Sequence, residues 1–169
     1  MDGRERSSEP QIVVREVHSP TDMEDVFKIR DEVFVAEQAL TPNARNDPDD
    51  KRSFHYLADY DSRPVGTGRL TMLGDEAQIA WVAVRKDYRG HGIGWQIMER
   101  MIERSAEEGG EYIILNAQTH ALDFYKRLGF NAVGRVFTMA NIPHQVMIRQ
   151  ITPGGGETIR RYLESFGGR

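Results

Sequence analysis

The sequence predicts an α/β domain of the α+β kind, a mixed central β-sheet flanked by helices. Three observations carry this. The 169 residues suit one domain with a sizeable core. Apolar alternation marks more strands than there are helices to cross over them, so the sheet must be mixed. The stretch from Gln78 to Ala117 reads strand, helix, strand, a single clear parallel crossover.

Residues 1–10 are polar and read as a disordered N-terminus, and "QIVVREV" (Gln11–Val17) alternates as a first strand. A helix follows, with Thr21 or Asp22 as cap and Val26, Ile29, Val33 and Phe34 at helical spacing, ending near Gln38 or Ala39. "LTPNARNDPDDKR" is a loop or a loosely held turn. Its acids do not form a calcium loop: starting from Asp47, glycine is required where Arg52 stands and glutamate where Ala58 stands, so a solvated loop is expected. "SFHYLADY", "PVGTGRLTML" and "QIAWVAV" form an antiparallel meander. "GIGWQIMERMIERSAEE" is an amphipathic helix with Ile93, Ile97, Met101 and Ile102 on one face, and Gly109–Gly110 stops it. "YIILNA" is a buried strand, and "HALDFYKRLG" a short helix capped by Thr119. "FNAVGRVFT" and "HQVMIRQI" are the last strands. The main domain thus spans 11–151, and 152–169 reads as a flexible C-terminal extension with a short helix.

Composition narrows the function. A net charge of −4 lacks the basic footprint of a nucleic-acid surface. No apolar run approaches the ~20 residues that cross a bilayer, and the first residues lack the apolar core of a signal peptide. With no cysteine to form a disulfide, a cytoplasmic home is expected, without metal or membrane.

The segment "YRGHGIGWQ" sets glycines at every second position between a strand and a helix. Such a loop lets free N–H groups of the first helical turn, and the positive end of the helix, converge on an anion. The Walker pattern fails because no Lys-Ser or Lys-Thr pair follows, and the dinucleotide pattern fails because Trp95 or Ile97 stands where its last glycine belongs. What remains is Arg89-x-x-Gly92-x-Gly94.

That arrangement resembles the acyl-CoA binding motif of the GNAT superfamily of N-acetyltransferases, and "NAQTHALDFYKRLGFNAVG" resembles the second half of the same family's motif. "FVAEQ", "PVGTGRL", "NAQTHALDFYKRLGF" and "IPHQVM" are similar to a small bacterial subgroup related to ElaA and YjcF, over about Ile29 to Ile151. The resemblance implies a GNAT-like fold in which splayed strands form the acyl-CoA cleft. It implies acetyl-CoA as co-substrate, with the pyrophosphate on Arg89, Gly90, His91, Gly92, Ile93 and Gly94. The pantetheine arm would lie on the backbone of Val82, Ala83 and Val84 and near Asn116, and the Tyr125 hydroxyl near the thiol sulfur.

Acetyl transfer to an amine needs a proton acceptor, because an alkyl amine of pKa about 10.4 is about 99.9% protonated at pH 7. Many relatives carry a glutamate in the strand before the glycine loop, where this chain has Ala80. Candidates for the base are Glu37, His144, His120 and His55, with Glu37 and His144 favoured by the subgroup resemblance; a water chain is the alternative. Tyr125 is the expected acid toward the leaving thiolate, or else a core tyrosine with its hydroxyl satisfied locally. Glu37, Gln38, Arg69 and His144 are the expected acceptor contacts. Arg69 would bind a substrate carboxylate or pair with Glu37. The function expected is N-acetyl transfer to a small-molecule primary amine by direct transfer, with no cysteine to carry an acyl group. The alternatives are a non-catalytic acyl-CoA sensor and, with less support, acyl-homoserine-lactone synthesis. Exposed strand edges leave room for a homodimer.

Overall fold

A computed structural model describes residues 9–167; most of the N-terminal segment expected to be disordered lies outside them. Strand β1 (Ile12–Glu16) leads to helix α1 (Pro20–Arg30), which runs without a break into a π-helical stretch, Asp31–Glu37. A 3₁₀ turn (Pro48–Arg52) precedes the meander β2 (Phe54–Tyr60), β3 (Arg63–Leu73) and β4 (Glu76–Val84). Then come α2 (Ile93–Glu107), β5 (Tyr112–Gln118), α3 (Leu122–Arg127), β6 (Asn131–Met139), β7 (Ile142–Gln150) and α4 (Gly155–Gly167).

The strands form one mixed seven-stranded sheet in the order β1-β2-β3-β4-β5-β7-β6. Only β4 and β5 pair in parallel, and only over Glu76–Gln78 against Tyr112–Ile114. Beyond Ile114, β5 keeps its full antiparallel ladder with β7 as far as Gln118. The two middle strands therefore part after three residue pairs, giving the expected splay. A second irregularity lies beside it. The β3–β4 ladder jumps from Arg69↔Ala80 to Thr67↔Ala83, so Trp81 and Val82 stand against one residue, Gly68. Trp81 holds φ +55°, a left-handed conformation rare for a bulky side chain.

Helix α2 buries Ile93, Ile97, Met98 and Met101 on one face of the sheet. On the other face α1 and the π-helical stretch bury Val26, Ile29, Val33 and Phe34 against Leu57 and Ala83. Tyr56 and Ala58 belong to the first cluster and Leu57 to the second, the alternation a strand imposes.

Three local expectations are corrected. The cap of α1 is Ser19, whose Oγ accepts from the Asp22 N–H at 3.1 Å. Pro20 opens the helix with a φ already suited to it, which places the cap before Thr21 and Asp22. Thr119 caps nothing, since it begins a 3₁₀ turn and no side chain caps α3. The acid loop is not merely solvated: Asp47 and Asp50 turn inward onto Arg30 and Arg69. In the C-terminal extension, helix α4 is seated on β5. The Tyr162 ring lies 6.3 Å from that of Tyr112, and Thr158 Oγ1 donates to Glu111 Oε2 at 2.5 Å.

A close backbone approach secures that seat. A Cβ at Gly155 would fall 2.1 Å from the Glu111 carbonyl oxygen, a backbone atom that cannot rotate aside. Gly155→Ala is expected to cost about 1–3 kcal/mol, as overpacking does. The loss should appear as a lower melting temperature with earlier proteolysis within 152–167; an unchanged melt and cleavage pattern would mean that α4 is not held there.

Among the described residues, no helix is long and apolar enough to cross a membrane.

Candidate active site

The glycine loop is built as a turn of left-handed residues. Gly90 holds φ +85° and Gly92, the residue before α2, φ +75°; a Cβ at either would meet nothing within 4 Å, so open space lies in front of both. No side chain caps α2. Its first N–H groups and the positive end of a 15-residue helix thus face that space, a setting that favours an anion. The loop is held from behind by Tyr60, whose ring lies 5.2 Å from that of Tyr88 and 5.4 Å from that of His91. Ile93 is buried in the core, so its contribution to a ligand could come only through its backbone. Gly94 backs onto Phe124, with its added Cβ 3.6 Å from that ring.

Where β4 and β5 part there is a cleft of about 820 Å³. Val82, Ala83, Val84, Arg89, Asn116 and Tyr125 line it, as do Glu37, Gln38 and His144. Residues far apart in the chain thus meet in one cleft. Ala80 lines the cleft too, so that wall carries no carboxylate.

The electrostatics differ from expectation at two arginines. Arg69 is not in the cleft. It is 5% exposed, with its Nη1 2.8 Å from Asp47 and 3.1 Å from Asp50, and so neither meets a ligand carboxylate nor pairs with Glu37. The partner of Glu37 is Arg89, through two hydrogen bonds of 2.7 Å, while Arg89 Nε donates to the Val84 carbonyl at 2.9 Å. These bonds from Arg89 hold the Glu37 carboxyl below the usual carboxylate range. Both side chains stand at the surface, so the pair adds only about 0–1 kcal/mol to stability.

The histidines separate by geometry. His55 lies under the sheet, not in the cleft: Nε2 donates to the Asp50 carbonyl at 2.8 Å, and burial pushes the ring's pKa down. His120 is exposed at the cleft rim. His144 is 2% exposed, stacked on Phe137, and its Nδ1 donates to the Ile142 carbonyl at 2.7 Å. A carbonyl can only accept, so Nδ1 carries the proton and the neutral ring keeps its lone pair on Nε2. Tyr125 packs between Phe124 and Phe130, and burial pushes its hydroxyl up to about 12, keeping it protonated at neutral pH.

Trp81, Phe34, Met139 and Ile142 also line the cleft and were not singled out from the sequence. Trp81 is aimed by the bulge, which no propensity of tryptophan announces. Met139 and Ile142 flank a hairpin turn whose central residues, Ala140 and Asn141, hold φ +47° and +65°; the asparagine was the one readable signal. Among the described residues no group of three or more His, Asp or Glu side chains is gathered as for a metal.

Comparison with known proteins matches residues 14–151 to an acetyltransferase (GNAT) domain. The Bacillus subtilis protein described as an uncharacterized N-acetyltransferase, YjcF, is 34% identical over 128 residues, covering 75% of this chain and 91% of its own. The crystal structure of Escherichia coli ElaA superposes with a TM-score of 0.75 at 27% identity, covering 83% of this chain and all of that one. An acyl-CoA N-acyltransferase from Pseudomonas aeruginosa gives a TM-score of 0.72, also at 27% identity, over 83% of this chain and 99% of its own.

Proposed function

The chain belongs to the GNAT acetyltransferase family and is an acyltransferase, and from that premise we propose that it moves an acetyl group from acetyl-CoA directly to a small-molecule primary amine. The observation that carries this reading is the joining, in one cleft, of a splayed strand edge, a protonated, half-buried tyrosine and a histidine whose tautomer leaves Nε2 free. The residues present fit the coenzyme. The uncapped start of α2, with Gly90 and Gly92 open in front, suits its pyrophosphate, and Arg89 is within reach of the same space. Backbone groups of Val82, Ala83 and Val84, unpaired with β5, would hold the extended arm, and Asn116 would approach it from the opposite strand. Acetyl-CoA supplies the acyl group as a thioester.

His144 accepts the amine's proton at Nε2, while its Nδ1 bond to Ile142 keeps the ring in place. A backbone N–H on the bulged strand polarises the carbonyl. Tyr125 holds the proton that the leaving sulfur takes. Glu37 is the weaker candidate for base, since Arg89 occupies both its oxygens and lowers its proton affinity; we assign it to the acceptor's entry, beside Gln38. We further place the enzyme in the cytoplasm. The edge strand β6, with Val136 54% exposed, leaves room for a homodimer.

Calorimetry with acetyl-CoA, followed by thiol release against an amine panel, tests this reading. Tyr125→Phe should bind acetyl-CoA as the wild type does and lower kcat roughly 10-fold, a modest loss because a thiolate leaves readily without full acid help. Binding without amine-dependent release would favour the non-catalytic sensor, which the absence of a carboxylate at Ala80 supports. No binding would overturn both.

A further inference from the structure

The half of the cleft that faces away from α2 is walled by Phe34 and Leu40 from the α1 side, by Trp81, and by Met139 and Ile142 from the β6–β7 hairpin. Phe34 and Trp81 meet edge to face at 5.2 Å and form one aromatic surface. The only polar atom of the tryptophan side chain is already used: its indole N–H donates to Asp47 Oδ2 at 3.0 Å, away from the cleft. What Trp81 offers a ligand is apolar ring.

Cations are scarce in the same place. Among the described residues lining the cleft, Arg89 is the only arginine or lysine, and it stands at the glycine-loop end, where Glu37, the Val84 carbonyl and the space suited to the pyrophosphate all draw on it. Arg69, the sequence's best candidate for holding a carboxylate, is buried beneath the wall on Asp47 and Asp50. The amides of Gln38 and Gln118 are tied to each other at 2.8 Å. His144 must be neutral to accept a proton, so it supplies no positive charge. Glu37 adds a negative one at the mouth, which suits an incoming ammonium.

We infer that the acceptor is a primary amine on an apolar body with no carboxylate beside the nitrogen, an aralkyl- or alkylamine rather than an amino acid; the inference rests on the acetyl-transfer reading above. In an α-amino acid the carboxylate is fixed two bonds from the nitrogen and must follow it into the cleft, where no arginine or lysine other than Arg89 meets it. A buried unpaired charge is costly, and the penalty falls on the amino acid alone.

Matched pairs make the test: phenethylamine against phenylalanine, isoamylamine against leucine, with ethanolamine as an amine lacking an apolar body. Thiol release from acetyl-CoA is measured for each, and binding to the CoA-saturated protein by calorimetry. The decarboxylated member of each pair should show kcat/KM higher by about 10-fold or more, and ethanolamine should fall below both by a similar factor. Gln38→Arg, which sets a cation in the wall, should narrow the gap within each pair. Amino acids used or bound as well as their decarboxylated partners would overturn the inference while leaving acetyl transfer intact; ethanolamine matching the aralkylamine would overturn its apolar part. If acetyl-CoA binds and no amine of any kind is bound or acetylated, the transfer reading itself fails and takes this inference with it.

Discussion

Replacing Asp50 with alanine should lower the unfolding free energy by about 3–5 kcal/mol, because it strips the shared counter-charge from two buried arginines. Arg30 and Asp50 have side chains 1% and 10% exposed, joined by bonds of 2.8 and 3.1 Å, and Arg69 reaches the same carboxylate at 3.1 Å. Burial already pulls the Arg30 pKa down, with Asp50 the main opposing influence. Arg30 Nε and Arg69 Nε have no hydrogen-bond partner, and while Asp47 stays with Arg69, Arg30 is left bonded to neutral acceptors alone. For a domain of this size the loss should lower the melting temperature by roughly 10 °C, at about 2–4 °C per kcal/mol. Arg30→Met with Asp50→Leu should cost far less than Asp50→Ala, since both charges leave together. A fall below about 1 kcal/mol in Asp50→Ala would show that the cluster behaves as an ordinary surface ion-pair group.

The second large effect is kinetic. His144→Ala should reduce kcat by roughly 10²–10⁴-fold, the usual worth of a positioned general base, while acetyl-CoA binds with unchanged affinity. Glu37→Gln should leave kcat within about 10-fold of the wild type, because its carboxylate is already claimed by Arg89. The reverse pattern, an active His144→Ala and an inactive Glu37→Gln, would move the base to Glu37 and require that Arg89 release it during turnover. A melting curve for His144→Ala separates lost chemistry from lost packing on Phe137.

Periodic elements were legible because their periods are local. The stripe of α2, the meander's alternation and the glycines before the helix each follow from a few neighbouring residues. Partners of charges were not. The sequence left Arg69 open between a ligand carboxylate and Glu37, yet each residue had several candidates at large separation, and burial decided between them: Arg69 lies on the inner side with the acid loop, Glu37 at the surface with Arg89. The acid loop itself looked solvated because nothing in "NDPDDKR" announces that two arginines wait beneath it. The bulge at Trp81 was invisible for a different reason. A left-handed tryptophan runs against its own preference and is imposed by its surroundings, the Asp47 bond on one side and the Arg30 guanidinium 4.9 Å from the ring.

The short seam between β4 and β5 has a mechanical consequence. With three residue pairs joining them, strands β1 to β4 and strands β5 to β7 are two stiff plates sharing one riveted end. Bending at that end changes the width of the mouth without breaking a ladder bond inside either plate. The spring that resists such bending is the packing around Ala77 and Ile113, both fully buried at the seam. The gape of the jaws is therefore governed from the closed end, by apolar side chains that lie outside the cleft lining.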